Sequence, residues 1–564
     1  MIKNKYLFIE REGPVLFTVT DNYGSSVNIP EGTTLGEAYN LLKPHDKYPI
    51  VLGAINNDVS DFQTIIKCDA HIRWITINTQ EGHSAYQRTL ILMLVRAADM
   101  LFPHSYVRVA HSLGKALYCE LTFPDGELLT VRHVHQLEAQ MKRIQDEFPD
   151  IEKIKVGREE TIEYLQGVGK ADDAALLEHM ERVDVTYYRN GDMADYYFGP
   201  MLPSLTYAEL FELQHYAPGF LLKYPDIDDP YVLEPYEEIP KFAKVFLEAK
   251  QWGRILDCSY VNQLNHYIDT GEITDIIELA EGLQEKKQAS IADMIVAQSP
   301  AIKLVLIAGP SSAGKTTFTK RLCTQLRIND RKPLMLSLDD YFYERSKTPK
   351  LPNGDYDFES IAALDIDLFN ENIRDLYEGK AVHLPTFHFT DGSRTFRDDA
   401  VQLESNSIVV VEGLHALNDD LSRIVPRYEK IKIYLGALTQ LAINDHNRIS
   451  TSDTRLVRRL VRDFKFRGAN AQRTFKMWRD VRKGEETNIF PFQEDADIIF
   501  NSALIYELPV LKKEAMPLLE SVSKDDEYYP LAHHLIRFLS PFKELDGSFV
   551  PKRSLLREFI GNDN

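Results

Sequence analysis

Eight residues, Gly309–Thr316 (GPSSAGKT), constrain this chain more than any other stretch. They follow the apolar run Lys303–Ala308 (KLVLIA) and precede Thr317–Arg331, which reads as a helix. Glycine, four residues and then Gly-Lys-Thr between a strand and a helix is the phosphate-binding P-loop pattern. Gly309 and Gly314 let the backbone turn tightly and come close to oxygen atoms. Successive N–H groups then converge on an anion, and the helix N-terminus adds partial positive charge. The segment Gly309, Pro310, Ser311, Ser312, Ala313, Gly314, Lys315, Thr316 and Thr317 is therefore the expected nucleotide-binding loop. Lys315 is placed to reach the β- and γ-phosphates, and the Thr316 hydroxyl to ligate Mg²⁺. The competing reading is an ordinary Gly/Ser turn without a ligand.

A chain of 564 residues is too long for one core, so several domains are expected. The formal charge of −20 argues against a general nucleic-acid coat. Cys68, Cys119, Cys258 and Cys323 are far apart and form no CxxC pair, which suggests reduced thiols in a cytoplasm. The start, MIKNKYLFIEREG, does not read as a secretory signal. The apolar run Leu90–Val95 stops at Arg96, so no membrane span is expected.

The C-terminal half alternates strand and helix. Lys303–Ala308, Pro333–Leu338, Ser407–Glu412, Ile431–Leu435 and Asp497–Phe500 read as strands of a parallel sheet covered on both faces. Ligands of such sheets bind at the carboxyl ends of the strands. There stands Ser337–Tyr343 (SLDDYFY), whose Asp339 could take the proton of an attacking hydroxyl or hold a Mg²⁺-bound water. Four apolar residues delivering Glu412 form a Walker-B arrangement, with Glu412 as a Mg²⁺ carboxylate. Arg455, Arg458, Arg459 and Arg462 fall on one helical face, followed by Arg467. From Arg448 to Lys483 there are 12 Lys or Arg against 3 Asp. Stacked like charges disfavour an isolated helix and a polyanion would relieve them, so a lid that folds over ATP and supplies transition-state charge is the favoured reading. A solvated or RNA-facing patch is the alternative.

Together these stretches resemble the uridine kinase and phosphoribulokinase family. The likeness rests on GPSSAGKTT, SLDDYFY, YDFES (356–360), LPTFHF (384–389), SRT (393–395), VVEG (410–413), RLVRRLVRDFKFRG (455–468) and ADIIF (496–500). It implies a kinase using ATP and Mg²⁺, with Asp339 as general base and Lys315, Arg459 and Arg462 supporting transfer. Arg467 would join the loop in holding the triphosphate. Thr316 and Glu412 would hold the metal. Asp357 would meet ribose hydroxyls, and Phe387 and Arg394 would line the acceptor site. Family uridine kinases place Tyr after Pro-x and His before Ser-Arg; here those positions are Phe387 and Gly392. Phe can stack on a base but cannot hydrogen-bond to it. The implied activity is phosphorylation of a nucleoside, uridine or cytidine, at the ribose 5′-hydroxyl. Alternatives are another hydroxylated acceptor, such as a phosphopentose, or a nucleotide-switched RNA- or tRNA-binding regulator.

The front half reads as a small mixed α/β module over 1–80, with Val15–Thr20, Ile50–Ile55 and Ile72–Ile77 as strands and Thr33–Leu42 as a helix. Through Ala54–Thr76 it resembles the TGS domain, a β-grasp-like module of threonyl-tRNA synthetase. Residues 81–230, through His83–Gln87 and Gly191–Pro203, resemble that synthetase's α+β editing domain. The family's metal-binding His, Cys and His positions are here Gln87, Tyr197 and Met201 beside a retained His83, which implies that hydrolytic metal chemistry is lost. His133 and His135 are spaced as on one face of a strand, with no third ligand. Thr206 with Glu209 suggests a capping box, and residues 205–300 read as helical, 231–300 forming a helical linker. The kinase-like domain spans 301–510, and 511–564 is a helical extension with no chemistry assigned. A homo-oligomer is expected.

Overall fold

The computed structural model describes residues 16–167, 170–180, 184–298, 301–350, 354, 356–439 and 441–562. The opening segment 1–13 and Val15 of the first expected strand lie outside them.

The C-terminal half is organised by five parallel strands. They are β1 (Leu304–Ala308), β2 (Lys332–Ser337), β3 (Ser407–Glu412), β4 (Lys430–Gly436) and β5 (Ile498–Asn501), in the order β2-β3-β1-β4-β5. Every residue of β1 and β4 is buried. Such strands are found where helices cover both faces. Helix α1 (Lys315–Ile328) follows β1 directly, and α2 (Thr451–Arg467) and α3 (Ala471–Asn488) separate β4 from β5. Because β1 is central, its carboxyl end delivers the P-loop between the ends of β3 and β4. A two-stranded antiparallel hairpin, Pro385–His388 with Ser393–Phe396, stands beside that edge. The arrangement is a parallel-sheet P-loop fold.

The helices Val261–Thr270 and Ile273–Ala297 pack into the core of this sheet through Val261, Leu264, Ile276, Ile277 and Ile291. Helices α4 (Glu507–Glu520) and α5 (Tyr529–Leu539) join the same core.

The front half contains a five-stranded sheet ordered 26–30, 16–21, 70–76, 50–55, 58–60, in which the first strand runs parallel to Ala70–Thr76. Its helix Leu35–Leu42 starts at Thr34, whose capping box with Glu37 satisfies the first orphan N–H groups. Next comes the helix Gln80–Leu101, packed with helix Val131–Glu147 around a common core. Beneath them lies a four-stranded sheet of 106–113, 116–122, 212–216 and 219–223. Among the described residues no helix is long and apolar enough to cross a membrane.

Two expectations are corrected. Residues 212–223 form a β-hairpin, not a helix; the Thr206 and Glu209 pair lies at a three-residue 3₁₀ turn capped by Ser204. The Tyr86 hydroxyl fixes the chain entering that hairpin, donating to the Leu210 carbonyl at 2.7 Å and accepting from its N–H at 2.9 Å. His133 and His135 lie on the helix Val131–Glu147 rather than on a strand. There Val134, Leu137, Met141 and Ile144 make the buried stripe, and Thr130 with His133 caps the start. Two residues apart on a helix point in different directions, so the pair shares no face.

Front and back halves meet at the loop leading into α2. The Val109 N–H donates to the Asp445 carbonyl at 2.8 Å, the Tyr106 hydroxyl donates to the Asp445 carboxylate, and Asn447 donates to the Tyr196 carbonyl at 3.0 Å. His446 pairs with the buried Asp195. Burial opposes charge on this imidazole, but the Asp195 carboxylate outweighs it and raises the ring above 6.5. Burial likewise opposes charge on Asp195, yet His446 and Lys170 hold it below 3.8. The His446 contribution is complete below 6.5 and is lost as pH rises through its folded value; the Asp195 contribution is lost as pH falls through its own. Amide exchange at 444–447, corrected for intrinsic rates, is therefore expected to accelerate as pH rises above 6.5. His446→Gln should raise it already at pH 6 and flatten the profile; a flat parent profile would remove the pair as a clasp.

Candidate active site

The loop between β1 and α1 is shaped by contacts that exclude side chains. A Cβ on Gly309 would come within 2.5 Å of the Leu435 carbonyl oxygen, so only glycine lets β1 hand over to the loop beside β4. Gly314 sits at φ +88, the left-handed region in which glycine carries no steric penalty. Ser312 shares that region at φ +60. The N–H groups of Ser312, Gly314, Lys315 and Thr316 have no protein partner among the described residues. These are the donors that a helix N-terminus leaves free for an anion.

Helix α2 holds the outer side of this loop, which relieves the repulsion expected along its arginine face. Arg455 makes a bidentate pair with Glu485 of α3, at 2.6 Å for each bond, and donates to the Ser311 carbonyl at 3.3 Å. Glu485 also accepts from the Ser311 N–H at 2.8 Å. Arg458 pairs with Glu507 and donates to the Ser312 and Ser502 carbonyls, each at 3.1 Å. Arg455 and Arg458 are each 1% exposed, so they brace the loop rather than forming an open lid or an RNA-facing patch.

Arg459 donates to the Ser311 hydroxyl at 2.8 Å. Arg459, Arg462 and Arg467 all meet the buried Asp463, so one carboxylate holds three guanidinium groups near the loop. Lys315 folds back on the Gly309 and Pro310 carbonyls at 2.9 and 3.2 Å.

The carboxylates lie opposite. Asp339 stands in the 3₁₀ turn Leu338–Tyr341 after β2. Its carboxylate is open to solvent, yet the protein packed around it and the neighbouring Asp340 raise its pKa, while the charges of Lys315, Arg467 and Arg462 pull it down. Glu412 ends β3 and is pushed up to about 7 by burial and by Asp339. Its Oε1 accepts from the Ser337 hydroxyl at 3.0 Å and from Thr316 at 3.5 Å. Two hydroxyls and a carboxylate are hard oxygen donors of the kind that Mg²⁺ takes together with phosphate oxygens and water, so the residues present fit that ion.

Sequence reasoning missed Glu359. Its carboxyl is pushed up to about 7 by burial, offset by Arg459 and Lys315 and reinforced by Glu485 and Asp339. Its Oε2 is buried and makes no hydrogen bond. The expected Asp357 instead accepts from the N–H groups of Glu359 and Ser360, both at 3.1 Å, and so orients Glu359. A Cβ on Gly484 would come within 2.5 Å of the Glu359 Cβ. The signal available in the sequence was the alternation in YDFES, which puts Asp357 and Glu359 two apart.

Phe387 is buried among Phe342, Phe358 and Phe389, with ring centres 5.7, 6.5 and 5.1 Å away. Arg394 pairs with Asp365 at 2.9 Å, which ties the hairpin to the segment after YDFES. Gly392 sits at φ +72 beneath Arg345, which donates to the Phe389 carbonyl at 3.0 Å.

In the front half, His83 contacts the Pro225 carbonyl at 3.0 Å and Gln87 at 3.3 Å. Tyr197 and Met201 are buried in the core beneath that helix.

Residues 304–506 match the model of the Phosphoribulokinase / Uridine kinase family. The chain is 29% identical over 197 residues to the uridine kinase of Staphylococcus haemolyticus (strain JCSC1435), which covers 35% of this chain and 86% of that protein. It is 29% identical over 201 residues to that of Staphylococcus aureus (strain JH9), covering 35% and 87%. Among solved structures, one titled "Structure of a Possible Uridine Kinase from Bacillus stearothermophilus" has 19% identity and a TM-score of 0.27, covering 38% of this chain and 98% of that one. Over residues 304–506 the chain thus carries a domain of the phosphoribulokinase / uridine kinase family, and it is a phosphotransferase.

Proposed function

We propose that this chain is an ATP-dependent nucleoside kinase of the uridine type, transferring the γ-phosphate to a ribose 5′-hydroxyl. The observation that carries the reading is Asp339, a solvent-accessible carboxylate at the sheet edge, under the influence of Lys315, Arg462 and Arg467. The surrounding protein and Asp340 raise its affinity for a proton, and the three cations favour the ionised form. In the proposed step the acceptor oxygen attacks the γ-phosphorus, its proton passes to Asp339, and ADP leaves. Lys315 and the arginines gathered on Asp463 stabilise charge on the transferring phosphoryl oxygens. Thr316 and Glu412 would hold Mg²⁺, which would supply positive charge to neutralise the phosphate.

Glu359 is assigned to the acceptor's hydroxyls, held in place by Asp357. Phe387 and its neighbouring rings supply a face for a base, and Arg394 fixes the hairpin that carries Phe387. The front domains, with their TGS-like and synthetase-like sequence, are assigned to assembly or regulation. A phosphorylated-sugar acceptor is the second reading. It is favoured by Arg345, whose exposed guanidinium lies over Gly392 at the hairpin turn.

Incubation with Mg-ATP and a panel of nucleosides and sugar phosphates tests both readings. A nucleoside 5′-monophosphate supports the first and a sugar bisphosphate the second; absence of any product contradicts both. Asp339→Asn is expected to lower kcat by about 10²–10⁴-fold with little change in ATP affinity. Glu359→Gln should raise the acceptor KM by about 10- to 100-fold and leave the ATP KM near its parent value. An effect confined to the ATP KM would remove Glu359 from the acceptor site.

A further inference from the structure

The family match ends at residue 506, yet the structure returns the segment Ser554–Ile560 to the P-loop. Leu555, Leu556 and Phe559 are buried. Leu555 packs so closely on the loop that a Cβ at Gly314 would lie 2.2 Å from its Cδ2. The Arg458 guanidinium stands 5.0 Å from the centre of the Phe559 ring. Lys465 donates to the Ile560 carbonyl at 3.1 Å, and the Tyr506 and Ser554 hydroxyls are 3.1 Å apart. The backbone is therefore anchored on α2 and on the loop itself. It delivers one charged side chain to the cradle: Glu558 accepts from the Thr317 N–H at 3.0 Å.

That N–H belongs to the first turn of α1, where a helix cannot satisfy its own donors and anions are received. Its neighbours on Ser312, Gly314, Lys315 and Thr316 have no protein partner among the described residues. The Glu558 charge also acts on Glu412 and raises its pKa, so Glu558 stands near the carboxylate assigned to the metal.

We propose that Glu558 is a built-in occupant of the nucleotide site, its carboxylate standing where an oxygen of the bound polyphosphate is received. The inference rests on the kinase reading above. With a nucleotide in the cradle, an unmoved Glu558 would crowd its charge against the polyphosphate and Glu412. The incoming nucleotide therefore displaces it. Because Leu555 and Phe559 hold the backbone, the displacement is a rotation of one side chain rather than release of the segment. A segment outside the family-matched residues thereby sets nucleotide affinity, and anions too weak to expel the carboxylate are kept out.

Calorimetric titration of Mg-ATP and Mg-ADP into the full chain tests this without requiring the acceptor. Glu558→Gln and Glu558→Ala are expected to tighten both by about 2- to 30-fold, the span set by what an anion gains at a helix N-terminus. Glu544→Gln, which removes an exposed carboxylate upstream of Ser554–Ile560, should leave binding unchanged. Melting curves report folding of each variant. If parent and both Glu558 variants bind within twofold of one another, or the variants bind more weakly, the inference fails and the kinase reading stands. If none binds nucleotide, both fail.

Discussion

Two buried ion pairs, Arg455 with Glu485 and Arg458 with Glu507, hold the phosphate loop in shape, and the proposed chemistry depends on them. Each arginine spends part of its guanidinium on a carbonyl of the loop, at Ser311 and at Ser312. With those carbonyls held on the outside by α2, the amides of the next residues are left for an anion. A buried charge is tolerated only when paired and hydrogen-bonded, and removing one partner typically costs about 3–5 kcal/mol. The pairs are thus poor candidates for extra stability but good ones for fixing a single loop conformation.

The site balances like charges on both sides. The protein packed around Asp339, Glu359 and Glu412 raises all three, although Asp339 stays open to solvent. Lys315 opposes that rise in each case. On the other side Asp463 gathers three arginines. A magnesium–polyphosphate complex would bring positive charge to the carboxylates and negative charge to the arginines. The front half contacts this region at 444–447, only a few residues before α2 begins at Thr451.

Much of this was legible in the sequence because it is local. The strand-loop-helix of GPSSAGKT, the apolar run ending in Glu412 and the placement of Asp339 after a strand are written within a dozen residues each. Helix boundaries such as Ile273–Ala297 followed from periodicity alone. What was not legible is long-range. Glu558 lies 241 residues from the amide it meets. Glu485 and Glu507 look like surface acids until α3 and α4 are folded against the arginines. Residues 212–223 mimicked a helix because Thr206 and Glu209 imitate a cap, whereas the hairpin is decided by pairing with the strand 116–122. Asp357 and Glu359 cannot be told apart by spacing alone. A two-residue spacing offers two carboxylates, and only the fold shows which one spends its oxygens on backbone N–H groups.

The bracing of the loop can be separated from its contribution to folding. Arg455→Met and Glu485→Leu should each destabilise the fold by leaving a buried charge alone, while the double variant should regain most of that stability. Calorimetric titration of Mg-ATP into the double variant, below its melting transition, is the most direct measurement. If the arginine holds the Ser311 carbonyl in place for phosphate binding, the double variant folds normally yet binds Mg-ATP about tenfold more weakly. Parental affinity in the folded double variant would contradict the account.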